Sequence, residues 1–214
     1  MPLAAQAPTP LPGVYSNEEQ VYFAKEAGQT VPPLVMLEYG NDLVIRPVTA
    51  FGDGSDFDPA GIKMAGGGAR LTGTLPDGTI IDLRRARPAT CWVAIRKDQP
   101  KPDGSPDWFF AQNVKLHDQG GRALVGQNVA GTKPIVIRMR NVVWPPPAAG
   151  GRSNNRPSVV LYVHKPDQPD SAESYAWGDP GTARIGINLR WMQASCDIDG
   201  MGPPAAVTAT SFRG

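Results

Sequence analysis

Histidine is nearly missing: His117 and His164 are the only two in 214 residues, and they stand far apart in the chain. No Cys-x-x-Cys, His-x-x-x-His or Glu-x-x-His spacing supplies zinc ligands, so no metal site is expected. No Gly-x-Ser-x-Gly segment marks a nucleophile elbow. Long apolar runs are also lacking. The longest, such as Ile135-Val136-Ile137, are strand-sized and far below the roughly 18 residues that span a bilayer. Charge of one sign is lacking too: 21 basic residues face 20 acidic ones, for a net charge of +1. No whole-molecule field recruits nucleic acid or anionic lipid. Neither nucleic acid nor a membrane span is therefore expected, and nothing calls for a cofactor.

Cysteine is limited to Cys91 and Cys196, both in strand-like segments. A disulfide between them would close a loop of about 100 residues, a constraint of roughly 4–5 kcal/mol in the chain-entropy model. An oxidising compartment favours that bond. The other reading is two buried thiols acting as small hydrophobes.

What the chain has in plenty is glycine (24) and proline (23), set among 41% hydrophobic residues. That many breakers argue against a helical bundle and suit a β protein with many turns. Residues 1–13 are Pro/Ala-rich and read as a flexible N-terminal segment. Their small residues are similar to the stretch around a signal cleavage site. This gives the expectation of a periplasmic or secreted protein, with a cytoplasmic one as the alternative. Residues 14–200 read as one β domain and 201–214 as a flexible tail.

Ser16-Asn17-Glu18-Glu19 has the form of a capping box, with Ser16 and Glu19 satisfying each other's backbone donors. It predicts a helix from Asn17 to Ala27, packed through Val21, Phe23 and Ala24 and stopped at Gly28. After Pro32-Pro33 the pattern turns to period two. Pro76-Asp77-Gly78 and Asp118-Gln119-Gly120-Gly121 read as hairpin turns. Thr90–Lys97, Pro134–Val143, Ser158–His164 and a long Ala183–Asp197 read as strands. Asp53–Gly68 reads as a loop. Its Asp53, Asp56 and Asp58 lack calcium-loop spacing and suit a solvated turn.

Nine or ten strands without βαβ alternation argue against a parallel sheet. They suggest a mainly β fold, an antiparallel up-and-down, lipocalin-like (calycin-like) barrel with one N-terminal helix. A β-sandwich is the alternative. Arg84, Arg85 and Arg87 cluster after one strand, and Arg138 and Arg140 share one face of another. In a barrel one strand face lines the lumen, and guanidinium forks bind carboxylates. Arg138 and Arg140, with Trp92, Tyr162 or Trp108, are thus candidates to hold a small amphipathic or acidic ligand. The alternatives are a solvated outer face for the arginines and ordinary core for the aromatics.

Val14-Tyr15-Ser16-Asn17-Glu18-Glu19-Gln20-Val21 resembles the N-terminal stretch of the CpcT/CpeT-type chromophore lyases, as does, more loosely, Thr90-Cys91-Trp92-Val93. The resemblance implies a lipocalin-like barrel after the helix, and for any enzymatic activity the attachment of bilins to protein cysteines. Asn17 and Gln20 are the positions that carry over, with a structural role. That family's Pro-Tyr-Arg segment has no counterpart here. Tyr39 and Arg46 are the nearest residues of those types, at different spacing, and complete the candidate ligand-binding set. The function these readings suggest is an exported small-ligand-binding β-barrel. The alternative is a structural or protein-interaction module of the cell envelope without enzymatic activity.

Overall fold

A computed structural model describes residues 9–42, 44–52, 54, 58–144 and 156–199. Over these the chain is antiparallel β with one α-helix. Its first part runs β1 (Gly13–Ser16), α1 (Glu18–Glu26), β2 (Met36–Tyr39), β3 (Ile45–Pro47), β4 (Lys63–Gly67), β5 (Arg70–Thr74) and β6 (Ile80–Arg85). These strands form one sheet in the order β3-β2-β1-β6-β5-β4. Tyr15, Val35, Leu37, Leu71, Leu75, Ile81 and Leu83 form its buried cluster. Alternation puts them on one face, because side chains of a strand point to opposite sides in turn. The β5–β6 hairpin closes as the Pro-Asp-Gly signal predicts. Leu75 N donates to Thr79 O at 2.9 Å, and Asp77 Oδ1 accepts from Thr79 N at 2.9 Å.

The second part comprises β7 (Pro88–Arg96), β8 (Trp108–His117), β9 (Gln119–Val125), β10 (Ile135–Trp144), β11 (Arg156–His164), β12 (Ala172–Gly178), β13 (Arg184–Asn188) and β14 (Met192–Ile198). They form two four-stranded sheets, β12-β11-β10-β9 and β13-β14-β7-β8. Both contribute to one core that includes Val93, Ile95, Ile137, Met139, Leu161, Val163, Met192 and the two cysteines. Successive strands are neighbours, as in an up-and-down fold. However, β8 adjoins β9, and β12 adjoins β13, without a paired ladder. The sheet is therefore not closed, and packed side chains occupy the space between its two halves.

The unclosed corner at β8–β9 has a local cause. Asp118 is buried and its Oδ1 accepts from Arg87 N at 2.8 Å. Gly120 has φ +84°, and a Cβ there would lie 3.0 Å from the Glu18 side chain. Only glycine meets both demands. The segment Asp118–Gly121, predicted as an ordinary hairpin turn, instead carries the chain from one sheet to the other.

Other elements differ from expectation. The long final strand is two, β13 and β14, joined by a turn in which Leu189 N donates to Met192 O at 2.8 Å. Lys63–Gly67, read as loop, is β4 and pairs with β5. Asp53 and Asp56 lie outside the described residues. Asp58 caps a short 3-10 turn, accepting from Ala60 N at 2.9 Å. The capping box does not form: Asn17 is the N-cap and makes no side-chain cap bond, because Glu19 is drawn to tertiary partners. Among the packing residues expected of α1, Ala24 is buried while Phe23 is exposed. Of the N-terminal segment predicted flexible, residues 1–8 lie outside the described residues. The part from Thr9 is bonded to the first sheet, with Gly68 N donating to Thr9 O at 3.0 Å. The tail from 201 also lies outside the described residues.

Cys91 and Cys196 oppose one another in the β7–β14 ladder and form a disulfide, with a Cα–Cα distance of 4.0 Å. Their strands are 105 residues apart in sequence, so the bond removes a large loop entropy from the unfolded chain. The Cys91→Ala/Cys196→Ala double variant is expected to lose about 4 kcal/mol in urea unfolding. A loss below about 1 kcal/mol would show that the bond is not a main constraint.

Candidate functional site

The chain turns from β1 into α1 through four side chains that replace backbone partners. Ser16 Oγ accepts from Glu18 N at 3.1 Å. The Asn17 amide bonds the extended segment beside it twice: Nδ2 donates to Pro33 O at 2.9 Å, and Oδ1 accepts from Val35 N at 2.7 Å. The Gln20 amide does the same to β6, donating to Ile80 O and accepting from Asp82 N, each at 3.0 Å. Asn17 and Gln20 thus tie the helix start to the segments on either side of it. The fourth, Tyr15, is fully buried, and its hydroxyl accepts from Leu11 N at 2.9 Å.

So held, α1 presents two carboxylates in its first turn. Glu18 is buried over β10, where it pairs with Arg138 and lies 3.4 Å from Arg140 Nε. The Arg140 guanidinium also stacks on Tyr22 of the helix, 4.2 Å from the ring centroid. Burial opposes the charge on Arg140 and Glu18 supports it. Glu19 reaches the other way. It pairs with Arg84 of β6 at 2.5 Å and accepts from Gln119 Nε2 at 2.7 Å and Asn141 Nδ2 at 3.1 Å.

A cleft of about 520 Å³ opens beside this network. Its wall includes Arg70, Arg84, Arg85 and Arg87 from the first part and the connection to β7, with Asp118, Gln119, Asn141 and Ser158 from the second. Three of the arginines are matched. Arg70 pairs with Asp82 at 2.9 Å, Arg84 with Glu19, and Arg87 with Asp118 at 2.6 Å. Arg85 is the surplus cation: its Nε donates to Pro12 O at 2.8 Å, and among the described residues it has no carboxylate partner. A Cβ on Gly13 would lie 3.1 Å from the Arg85 guanidinium, so that glycine keeps the space it occupies. Two buried polar atoms of wall residues, Ser158 Oγ and Gln119 Oε1, have no hydrogen-bond partner among the described residues.

The expected ligand set is not assembled in one place. Arg138, Arg140 and Tyr162 do share a face, with Arg138 opposite Tyr162 in the β10–β11 ladder. That face is the outer one, under α1, while Ile137 and Met139 point to the core. The lumen placement is thus corrected: a filled interior leaves no room for guanidinium groups, and the helix supplies their burial instead. Trp92 is exposed on β7. Trp108 begins β8, opposite Arg96. Tyr39 and Arg46 lie on β2 and β3, where Arg46 pairs with Asp42 and holds its carboxyl at about 2. Of the cleft residues, the cluster Arg84, Arg85 and Arg87 was legible in sequence. Arg70, Gln119 and Ser158 carried no signal. Among the described residues no group of His, Cys, Asp or Glu could hold a metal, and no helix is long and apolar enough to cross a membrane.

No protein-family model, no curated protein and no solved structure matches the chain.

Glu18→Gln leaves two mostly buried guanidinium groups without their carboxylate, and is expected to cost about 3–5 kcal/mol in chemical unfolding. A cost under 1 kcal/mol would show that the arginines find other partners. A second expectation concerns pH. Burial holds His117 and His164 below the ordinary value of 6.5. The unfolded chain then binds protons that the folded chain does not, so stability present above pH 6.5 is lost as pH falls. Tm is expected to drop between about pH 7 and pH 5, and less so in His117→Gln/His164→Gln. An equal drop in that variant would assign it to other groups.

Proposed function

We propose that the chain binds a small acidic molecule in the cleft beside α1. The observation that carries this reading is the surplus cation: Arg85 is the one arginine of four in the wall without a carboxylate of its own among the described residues. Guanidinium donors in a concave wall favour a carboxylate or phosphate over water. The wall residues include no histidine that could draw a proton from Ser158, which favours binding over catalysis. The successive order of β7–β14 supports a finer fold reading, a flattened relative of the up-and-down barrels whose ligand site lies outside the sheets. The Cys91–Cys196 bond supports export. For the likeness to chromophore lyases, a bilin would be a large acid at the same cleft, and an absorbance shift on mixing would test it.

A second reading, an interaction module of the cell envelope, is favoured by the aromatic residues Phe110, Tyr175 and Trp177, which are more than half exposed. Large exposed apolar groups often mark partner surfaces. Capture of a defined envelope partner that Trp177→Ala abolishes would support it.

Calorimetric titration with citrate and inorganic phosphate separates the two. Binding of either probe is expected to weaken as salt rises. Arg85→Gln should weaken it at least about tenfold, the equivalent of 1.4 kcal/mol, with Tm little changed. Absence of binding by both probes, or equal binding by the Arg85 variant, would contradict an acid site.

A further inference from the structure

The two polar atoms of the cleft that lack a partner among the described residues say more than its charge does. Gln119 is 3% exposed and Ser158 1% exposed. Ser158 stands opposite Val142, and Gln119 opposite Arg140, in the ladders flanking β10. Paired residues share a face, so both sit on the outer face of this sheet, beside α1. The orientation of the Gln119 amide is fixed by its neighbour. Glu19 carboxylate oxygen only accepts, so the group 2.7 Å from it is the Gln119 amide nitrogen. The Gln119 oxygen is then left as a bare acceptor, and Ser158 Oγ as a free donor and acceptor. Buried groups of this kind are rarely left unmade, because each lost bond carries a full desolvation cost.

An acceptor oxygen asks for a donor from the ligand. A ligand can offer an ammonium, an amide N–H or a hydroxyl. The surplus positive charge of Arg85 disfavours the ammonium, and of the neutral donors the hydroxyl both donates and accepts, which suits the Gln119 oxygen and Ser158 Oγ together. Resting on the acid-binding reading above, we infer that the acid taken by this cleft is a polyhydroxylated one, a sugar acid, held by its carboxylate at Arg85 and by its hydroxyls at Gln119 and Ser158. A site that hydrogen-bonds hydroxyl groups discriminates strongly against analogues that lack them, since its own polar atoms are then left unpaired.

The test is calorimetric titration of the full chain with galacturonate, with hexanoate of the same charge, and with galactose of similar shape and no charge. Galacturonate is expected to bind at least about tenfold tighter than either. Ser158→Ala should erase most of its advantage over hexanoate while leaving Tm unchanged or raised, because the hydroxyl has no partner among the described residues. Gln119→Met, checked for folding by circular dichroism, should also erase that advantage, with a lower Tm because it gives up the bond to Glu19. Equal binding of galacturonate and hexanoate, or an undiminished preference in Ser158→Ala, would overturn the sugar-acid assignment and leave the acid site standing. Galactose binding as well as galacturonate, or no binding by any of the three with citrate and phosphate also silent, would remove the acid site and the sugar acid with it.

Discussion

Two adjacent carboxylates at the start of one helix hold the two β parts of this molecule to each other. Glu18 neutralises arginines of β10, and Glu19 binds Arg84 of β6 together with Gln119 and Asn141 of the second part. Neither pairing would hold if α1 could roll. The amides of Asn17 and Gln20 prevent that by bonding backbone groups on either side of the helix start. The helix N-terminus adds its own preference for negative charge. Everything at the junction follows: the burial of Arg138 and Arg140, the glycine at 120, and the cleft between the two parts.

Binding at such a junction suits this architecture. The interior of β7–β14 is filled by aliphatic side chains and pinned by a disulfide between neighbouring strands, and the cleft of about 600 Å³ beside Ile95 and Ile135 opens at its rim. The junction has what the interior lacks, since it brings together side chains that sheet packing leaves over. Three guanidinium groups are spent on carboxylates that set the walls, and one is not. Paired charges fix geometry; the unpaired one is free to recognise an anion.

Much of the fold was legible in the chain, and the reasons it stopped being legible are physical. Period-two alternation marked the strands, the Pro76-Asp77-Gly78 turn marked a hairpin, and the strand-like setting of Cys91 and Cys196 suited the disulfide. Alternation also showed that Arg138 and Arg140 share a face. It cannot say which face is inward, because a helix laid on the outer face buries charged residues as a core buries apolar ones. The same helix explains the missing capping box: Ser16-Asn17-Glu18-Glu19 has the local form, but Glu19 gains more from Arg84, Gln119 and Asn141 than from a backbone N–H. The cleft was least legible. Its wall gathers residues from Glu19 to Pro180, and Ser158 Oγ and Gln119 Oε1 become distinctive only because they have no partner among the described residues, which no linear pattern records.

Scanning calorimetry of a Glu18→Gln/Glu19→Gln variant tests the central claim most directly. If the two carboxylates join the two parts, the wild-type protein unfolds in one cooperative transition, and the variant separates into two, the disulfide-bonded part melting last. A single transition in the variant at the wild-type temperature would contradict the account.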